Sequence, residues 1–188
     1  MKTTTILGGV CIGLATMAGA WLATGAAAQA QQRSDYATEH AGVGDPLLRH
    51  LTPAQIRGLG AAAGLGLAKP AELHGLPGPK HVLELADDLE LTDEQRDRTQ
   101  RAYERMRDRA IPAGQRVLDA ERRVGEVMQS HPRVIEDEVA RALDDAADAW
   151  RLLAREHIVA HAEMLSILTP AQVQRYSVLR GYTEAGDN

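Results

Sequence analysis

A five-residue motif, Leu-Thr-x-x-Gln, recurs in this chain and constrains its fold more than any other feature. In a capping box of this spacing, Thr accepts a hydrogen bond from the backbone N–H three residues later, and Gln reaches back to the N–H of Thr. The Leu before Thr can pack against the residue after Gln as a hydrophobic staple. Each copy therefore predicts the start of a helix. The three copies are Leu51-Thr52-Pro53-Ala54-Gln55, Leu91-Thr92-Asp93-Glu94-Gln95 and Leu168-Thr169-Pro170-Ala171-Gln172.

Two long helical patterns lie between the second and third copies. Apolar residues in 103–127 and again in 139–168 recur at alternating steps of three and four, the heptad spacing of packed helices. Pro132 separates the two patterns, and Pro112 is predicted to kink the first helix because it removes a backbone hydrogen bond. The sequence therefore predicts an all-α fold in which residues 91–182 form a long antiparallel helical hairpin.

The residues before the hairpin are predicted to form short helices around a connector. Residues 50–90 hold the first motif copy, a Gly/Pro-rich connector at 64–80 with a helical turn near its centre, and a short amphipathic helix at 81–89. We predict that residues 31–49 form a flexible N-terminal arm and that residues 183–188 form a short tail. The hairpin alone buries too little apolar surface, so the short helices, the last helix or a second subunit must cover it.

Residues 1–30 have the pattern of a signal peptide. Lys2 precedes an apolar stretch rich in Gly and Ala, and Ala28-Gln29-Ala30 fits the small-x-small cleavage rule. The alternative is a membrane anchor, but no charged stop-transfer cluster follows the apolar stretch. Cys11 is not expected to carry a lipid, because the residue before a lipidated cysteine is usually small and Val10 is not. We therefore expect export, cleavage near residue 30, and no stable membrane anchor afterwards.

Composition narrows the function of the mature chain. Cys11 is the only cysteine, so cleavage would leave neither disulfides nor thiol chemistry. The formal charge is −5, and removal of Lys2 makes the chain more acidic by one charge, which argues against a nucleic acid partner. Phe is absent and aromatic residues make up 3% of the sequence, so few side chains could stack on bases or sugars.

Charge is unevenly distributed along the hairpin. Residues 96–109 contain six arginines, and residues 136–148 contain six acidic residues. A run of this kind is usually a solvated helix face with pairs of opposite charge four residues apart. The alternative is a basic, partly apolar surface that receives acidic or unfolded partners.

The second long helix carries two histidines at a spacing typical of metal ligands. His157 and His161 lie one helical turn apart, so both imidazoles could bind one ion. Folding the hairpin about Pro132 places Met106 and Tyr103 opposite His157. The candidate metal ligands are His157, His161, Met106, Met164 and His81, with Glu163 as a further guess.

Two other interpretations bear on these residues. The histidines could instead be packed between the helices and hydrogen-bonded to neighbours. The helix lacks the glutamate of H-E-x-x-H, so metalloprotease chemistry is not supported. Ser130 and Ser166 lack a nucleophile elbow, and the carboxylates are dispersed along helix faces. We therefore predict no enzymatic activity and no required cofactor.

These features resemble the Spy/CpxP family of periplasmic stress proteins and the related heavy-metal-resistance proteins and metal sensors. The resemblance covers residues 91–182 and is carried by the repeated motif, the long hairpin and the closing sequence Leu-Thr-Pro-Ala-Gln-Val-x-x-Tyr. It implies a periplasmic location and a cradle-like helical homodimer. It also implies an ATP-independent protein that binds unfolded clients or an envelope-stress signalling partner. The motif positions matched are Leu91, Thr92, Gln95, Leu168, Thr169 and Gln172.

The metal-sensing relatives imply a second function. They use helix-borne histidines at H-x-x-x-H spacing together with Glu and Met, an element matched here by His157 and His161, with Met164 a weaker fit. Zn²⁺, Cu²⁺ or Ni²⁺ would then be the ligand. Protein binding and metal binding both remain open at this point, and the two are compatible.

Overall fold

The computed structural model describes residues 45–130, 132 and 135–183. The predicted signal peptide at 1–30 lies outside the described residues. So do most of the predicted arm at 31–49 and nearly all of the predicted tail at 183–188.

Every regular element in the described part of the chain is a helix, so the prediction of an all-α fold is confirmed there. A 3-10 helix at Pro46–Leu48 comes first. The two long helices, α4 and α5, pack against each other and build the frame of the molecule. The α-helices are α1 (Pro53–Gly60), α2 (Lys69–Leu73), α3 (Pro79–Glu84), α4 (Asp93–Gln129), α5 (Glu136–Met164) and α6 (Pro170–Leu179).

All three copies of the Leu-Thr-x-x-Gln motif form complete capping boxes, at the starts of α1, α4 and α6. The Gln side chain accepts from the N–H of Thr52 at 2.8 Å, of Thr92 at 3.1 Å and of Thr169 at 2.9 Å. In α1 and α6 the first helical residue is proline, whose missing N–H is not needed there. The motif therefore defines where three of the helices begin.

The long helices run in opposite directions. Near the start of α4, Arg98 donates to the carbonyl of Ser166 at 3.0 Å. Towards its end, Glu121 accepts from the indole N–H of Trp150 at 2.6 Å. Pro112 does not interrupt α4, which is assigned as one helix through that residue.

The layer formed by the short N-terminal helices covers the α4–α5 pair. Leu48 and Leu59 are each 1% exposed and pack in one cluster with Val117 and Leu153. The last residues of the predicted arm therefore belong to the core, because Asp45 caps the 3-10 helix and Leu48 is buried. A second core cluster contains Val82 of α3, Ala102 of α4, Met164 at the end of α5 and Tyr176 of α6, together with Ala86, Leu89, Leu91, Ile167 and Leu168.

Two glycines on α4 allow this layer to approach closely. The carbonyl of Leu59 lies against Gly114, and the carbonyl of Leu47 lies against Gly125, at distances that leave no room for a Cβ atom. The N-terminal layer thus contacts the backbone of α4 itself. No helix among the described residues is long and apolar enough to span a bilayer.

Candidate functional site

Three histidines from two parts of the chain line one cleft beside the long helices. The cleft consists of two cavities of about 280 and 320 Å³ whose walls share His81, His157, His161 and Gly64. We call it the histidine cleft. One cavity is also lined by Tyr103 and Met106 of α4, and the other by Lys69, Glu72 and Arg180.

Helix α5 places His157 and His161 one turn apart on its inner face, where they are 4% and 8% exposed. Met106 lines the cleft with them, as predicted from folding the chain about Pro132. His81 arrives from α3, after the Gly/Pro-rich connector. The cleft therefore joins two imidazoles predicted as a pair with a third whose position the sequence leaves open.

His161 is held by the connector. Its Nδ1 lies 3.0 Å from the carbonyl oxygen of Leu76, and its ring lies against Gly78, where an added Cβ would be 2.8 Å from the ring carbon Cε1. Burial lowers the pKa of His161, although the hydrogen bond to Leu76 and the nearby Glu72 carboxylate oppose that change. His161 is therefore harder to protonate than an ordinary histidine.

His157 is the least satisfied polar residue of the cleft. Its Nε2 is buried and has no hydrogen-bond partner among the described residues. Burial lowers the pKa of His157, and the neighbouring His161 lowers it further, while Glu156 raises it. A buried polar atom without a partner is costly, so its retention favours a role beyond packing.

Glu72 is an ionised carboxylate buried in the wall of the cleft. It is 6% exposed and accepts from the hydroxyls of Tyr176, at 2.9 Å, and Tyr182. Its Oε1 also lies 2.8 Å from Nδ1 of His81. Burial alone would raise the pKa of Glu72, but the hydrogen bonds from Tyr182, His81 and Tyr176 outweigh it and lower the pKa to about 2.

The sequence analysis does not identify Glu72 as a site residue. It sits in the connector between residues of no clear periodicity, and its partners lie 9 to 110 positions away along the chain. The closing segment after α6 contributes one of them, Tyr182, whose hydroxyl also accepts from Arg180 at 3.3 Å. The contacts of Glu72 fasten the connector to the end of the chain.

The remaining candidate ligands lie elsewhere. Met164 is 0% exposed and packs in the second core cluster with Val82 and Tyr176, and it does not line the cleft. Glu163 is paired with Arg105 at 2.5 Å near the surface. The structure thus brings together His81, His157, His161 and Met106, and leaves Met164 and Glu163 apart from them.

The imidazole and thioether groups of the cleft are suitable ligands for a transition metal ion, but they are not arranged as a metal-binding site. Imidazoles and a thioether are ligands for Zn²⁺, Cu²⁺ or Ni²⁺. Among the described residues, however, no group of three or more His, Cys, Asp or Glu side chains is placed to hold an ion.

The residues of the last two motif copies have a structural place. Thr92 and Thr169 cap α4 and α6, and Leu91 and Leu168 are 8% and 6% exposed in the second core cluster.

No protein-family model, no curated protein and no solved structure matches this chain. The proposals for its function rest on its own residues and on the family resemblance of the motif.

Proposed function

We propose that this chain is a non-enzymatic protein of the periplasm, of the Spy/CpxP type, that binds unfolded or signalling-partner proteins without ATP. The observation that carries the proposal is a set of three separated, exposed apolar residues, two on α5 and one at its C-cap, which we call the apolar stripe. Leu143, Ile158 and Leu165 are 50%, 37% and 50% exposed. At 3.6 residues per turn they lie within about 60° of one another and extend over about 33 Å of helix. Three exposed apolar side chains spaced along one side of a helix can contact an extended segment of another protein.

The arginines of 96–109 contribute less to this surface than their number suggests. Arg96 pairs with Asp87 at 2.9 Å, and Arg105 with Glu163 at 2.5 Å. Arg98 donates to a backbone carbonyl of the same chain. Three of the six arginines are therefore engaged within the molecule, and partner binding would depend chiefly on apolar contact.

The test is suppression of client aggregation by the mature protein without nucleotide. We expect near-stoichiometric suppression for several unrelated chemically unfolded clients, lost in the double variant Leu143→Ser/Leu165→Ser. Leu73→Ser is the matched control, because Leu73 is 58% exposed and belongs to α2 rather than α5. Absence of suppression by the wild-type protein for every client would refute the proposal.

We include a homodimer in this proposal, because a stripe on one helix can pack against its copy. Sedimentation velocity measures the mass of the assembly. A dimer that dissociates in Leu143→Ser/Leu165→Ser would assign the stripe to the dimer interface. A dimer that persists while client binding is lost would assign the stripe to clients.

A second candidate function is binding of Zn²⁺, Cu²⁺ or Ni²⁺ in the histidine cleft. It is favoured by the convergence of His81, His157 and His161 on one cleft, together with the unpartnered Nε2 of His157. Calorimetric titration of the three metals tests it, with His157→Ala/His161→Ala as the loss variant. His74→Ala is the control, since His74 is exposed and bonds to Pro70 outside the cleft.

Metal binding would also raise the melting temperature, because a ligand at 100 times its Kd stabilises the folded state by about 2.7 kcal/mol. Affinity would fall as the pH drops through the histidine range, since the ligating nitrogens must be unprotonated. An unchanged melt and no heat of binding with all three metals would exclude this function and leave protein binding.

A further inference from the structure

The proton positions on two of the cleft histidines are fixed by partners that can only accept. Both carboxylate oxygens of Glu72 accept hydrogen bonds from tyrosine hydroxyl groups, so Glu72 acts as an acceptor and the contact at 2.8 Å places the hydrogen on Nδ1 of His81. The carbonyl of Leu76 is likewise only an acceptor, so the contact at 3.0 Å requires the hydrogen on Nδ1 of His161. In a neutral imidazole the other nitrogen then carries a lone pair.

In its neutral form, each of these two histidines therefore presents an unprotonated Nε2. Their rings line the same cavities as His157, which is 4% exposed and whose own Nε2 has no partner. Histidines that ligate metals commonly donate their second ring N–H to a carboxylate or a backbone carbonyl, which sets the tautomer and raises the basicity of the ligating nitrogen. The cleft shows one partner of each kind.

We propose that Glu72 is a positioning residue that sets the Nδ1–H tautomer of His81, so that the cleft offers the Nε2 atoms of His81 and His161 to a divalent transition metal ion. This inference rests on the proposed metal-binding function and extends it, because Glu72 contacts His81 rather than the ion. It gives the buried carboxylate of Glu72 a role in orienting His81.

Nitrogen-15 NMR of the histidine rings tests the proposal on the metal-free full chain. At roughly pH 8, well above the ordinary histidine pKa of about 6.5, neutral tautomers are read from two-bond proton–nitrogen correlations. We expect the Nδ1–H form for His81 and His161. His74 serves as an internal reference, because its Nδ1 lies 2.7 Å from the carbonyl of Pro70 outside the cleft.

Two variants separate positioning from stability. In Glu72→Gln the amide can donate as well as accept, so we expect His81 to populate the Nε2–H form while His161 and His74 stay unchanged. Tyr182→Phe is the matched control, since it removes another hydrogen bond of the same carboxylate without touching His81. It is expected to lower stability and to leave the His81 tautomer as in the wild type.

Titration of the same samples with Zn²⁺ completes the test. We expect Glu72→Gln to weaken Zn²⁺ affinity about 10- to 100-fold, and Tyr182→Phe to change it little. An Nε2–H form of His81 in the wild type overturns the proposal, even if Glu72→Gln does not fold. Equal Zn²⁺ affinity in wild type and Glu72→Gln also overturns it. Nδ1–H tautomers without Zn²⁺ binding support the positioning by Glu72 and overturn the metal-binding function.

Discussion

The side-chain amides of Gln95 and Gln172 bond to each other. Nε2 of Gln95 donates to Oε1 of Gln172 at 2.8 Å, and Nε2 of Gln172 donates to Oε1 of Gln95 at 3.0 Å. Each amide also donates to a backbone carbonyl, that of Ile167 or Leu89. The second and third motif copies are therefore joined, and their glutamines connect the starts of α4 and α6 as well as capping them.

This pairing predicts unequal costs for the three motif glutamines. Gln95→Ala and Gln172→Ala each remove a capping bond and the bonds between copies, for an expected loss of about 1–3 kcal/mol of unfolding free energy. Gln55→Ala removes only its own box and should cost about 1 kcal/mol. Urea unfolding measures all three.

The double variant Gln95→Ala/Gln172→Ala checks the direct contact. Because the two amides share hydrogen bonds, the double variant should cost about 0.5–2 kcal/mol less than the sum of the single variants. Strictly additive losses would mean that the glutamines act only as separate caps.

Two threonines of the same helix should respond to valine in opposite directions. The hydroxyl of Thr99 is fully buried on α4 without a hydrogen-bond partner among the described residues. Thr99→Val removes that unsatisfied group at nearly constant shape, and we expect a gain of about 1 kcal/mol. Thr92→Val removes the N-cap oxygen of α4 and should lose about 1 kcal/mol. Thermal melts of both variants decide, and a loss for Thr99→Val would show that its hydroxyl has a partner.

Acid should destabilise the protein through Glu72. Its pKa is about 2 when folded and 4.5 as the ordinary value, so the unfolded state binds the proton more readily. The stabilising contribution is therefore present above pH 4.5 and is lost as the pH falls towards 2, with a maximum of about 3 kcal/mol by linkage. Urea unfolding between pH 7 and 2 measures it. Glu72→Gln should be less stable at pH 7 and show a smaller decline, and parallel curves would contradict the assignment.

His157 should be dispensable for stability and needed for metal binding. His157→Leu fills a similar volume and removes an unsatisfied nitrogen, so the metal-free variant should be as stable as the wild type, or more stable by about 1–2 kcal/mol. His161→Leu leaves the Leu76 carbonyl without its donor and should be less stable. Differential scanning calorimetry without and with Zn²⁺ compares the two, and a destabilised His157→Leu would make His157 a packing residue.

The same histidine also contributes to acid sensitivity, but at a higher pH than Glu72. The pKa of His157 is lowered by burial, so its neutral form stabilises the fold above the ordinary value of 6.5, and that contribution is lost as the pH falls below 6.5. The decline of wild-type stability from pH 7 to 5 should therefore be smaller in His157→Leu.

The helices and the histidine pair could be predicted because their signals are local. A capping box occupies four residues, and the His157–His161 spacing is one helical turn, so each is visible without knowledge of the fold. Met106 could be placed opposite His157 because two long antiparallel helices joined near Pro132 have a predictable register. For long, regular helices, the sequence alone is therefore enough to predict which residues face each other.

The connector could not be predicted in the same way. Within the connector, Glu72 bonds to His81, Tyr176 and Tyr182. His161 is contacted by Leu76 and Gly78. The connector has no periodicity from which any of these partners could be inferred. Met164 shows the converse: it continues the heptad spacing towards Leu168, yet it packs into the second core cluster instead of the cleft. The positions of these residues depend on how the short helices close over the long ones.

The two glycines of α4 fix the position of the N-terminal layer along the helix, because only a glycine lets the backbone of the layer approach so closely. Gly114 and Gly125 are eleven residues apart, so they lie on nearly the same side of the helix about 16 Å apart, each facing a backbone carbonyl of the layer. A slip by one turn would drive the Leu59 carbonyl into the side chain of Ala110 or Leu118. Two such contacts, at Gly114 and Gly125, define both the position of the layer along α4 and its direction relative to the helix axis. The chain segment that precedes the connector and His81 is therefore held on α4 in a defined register.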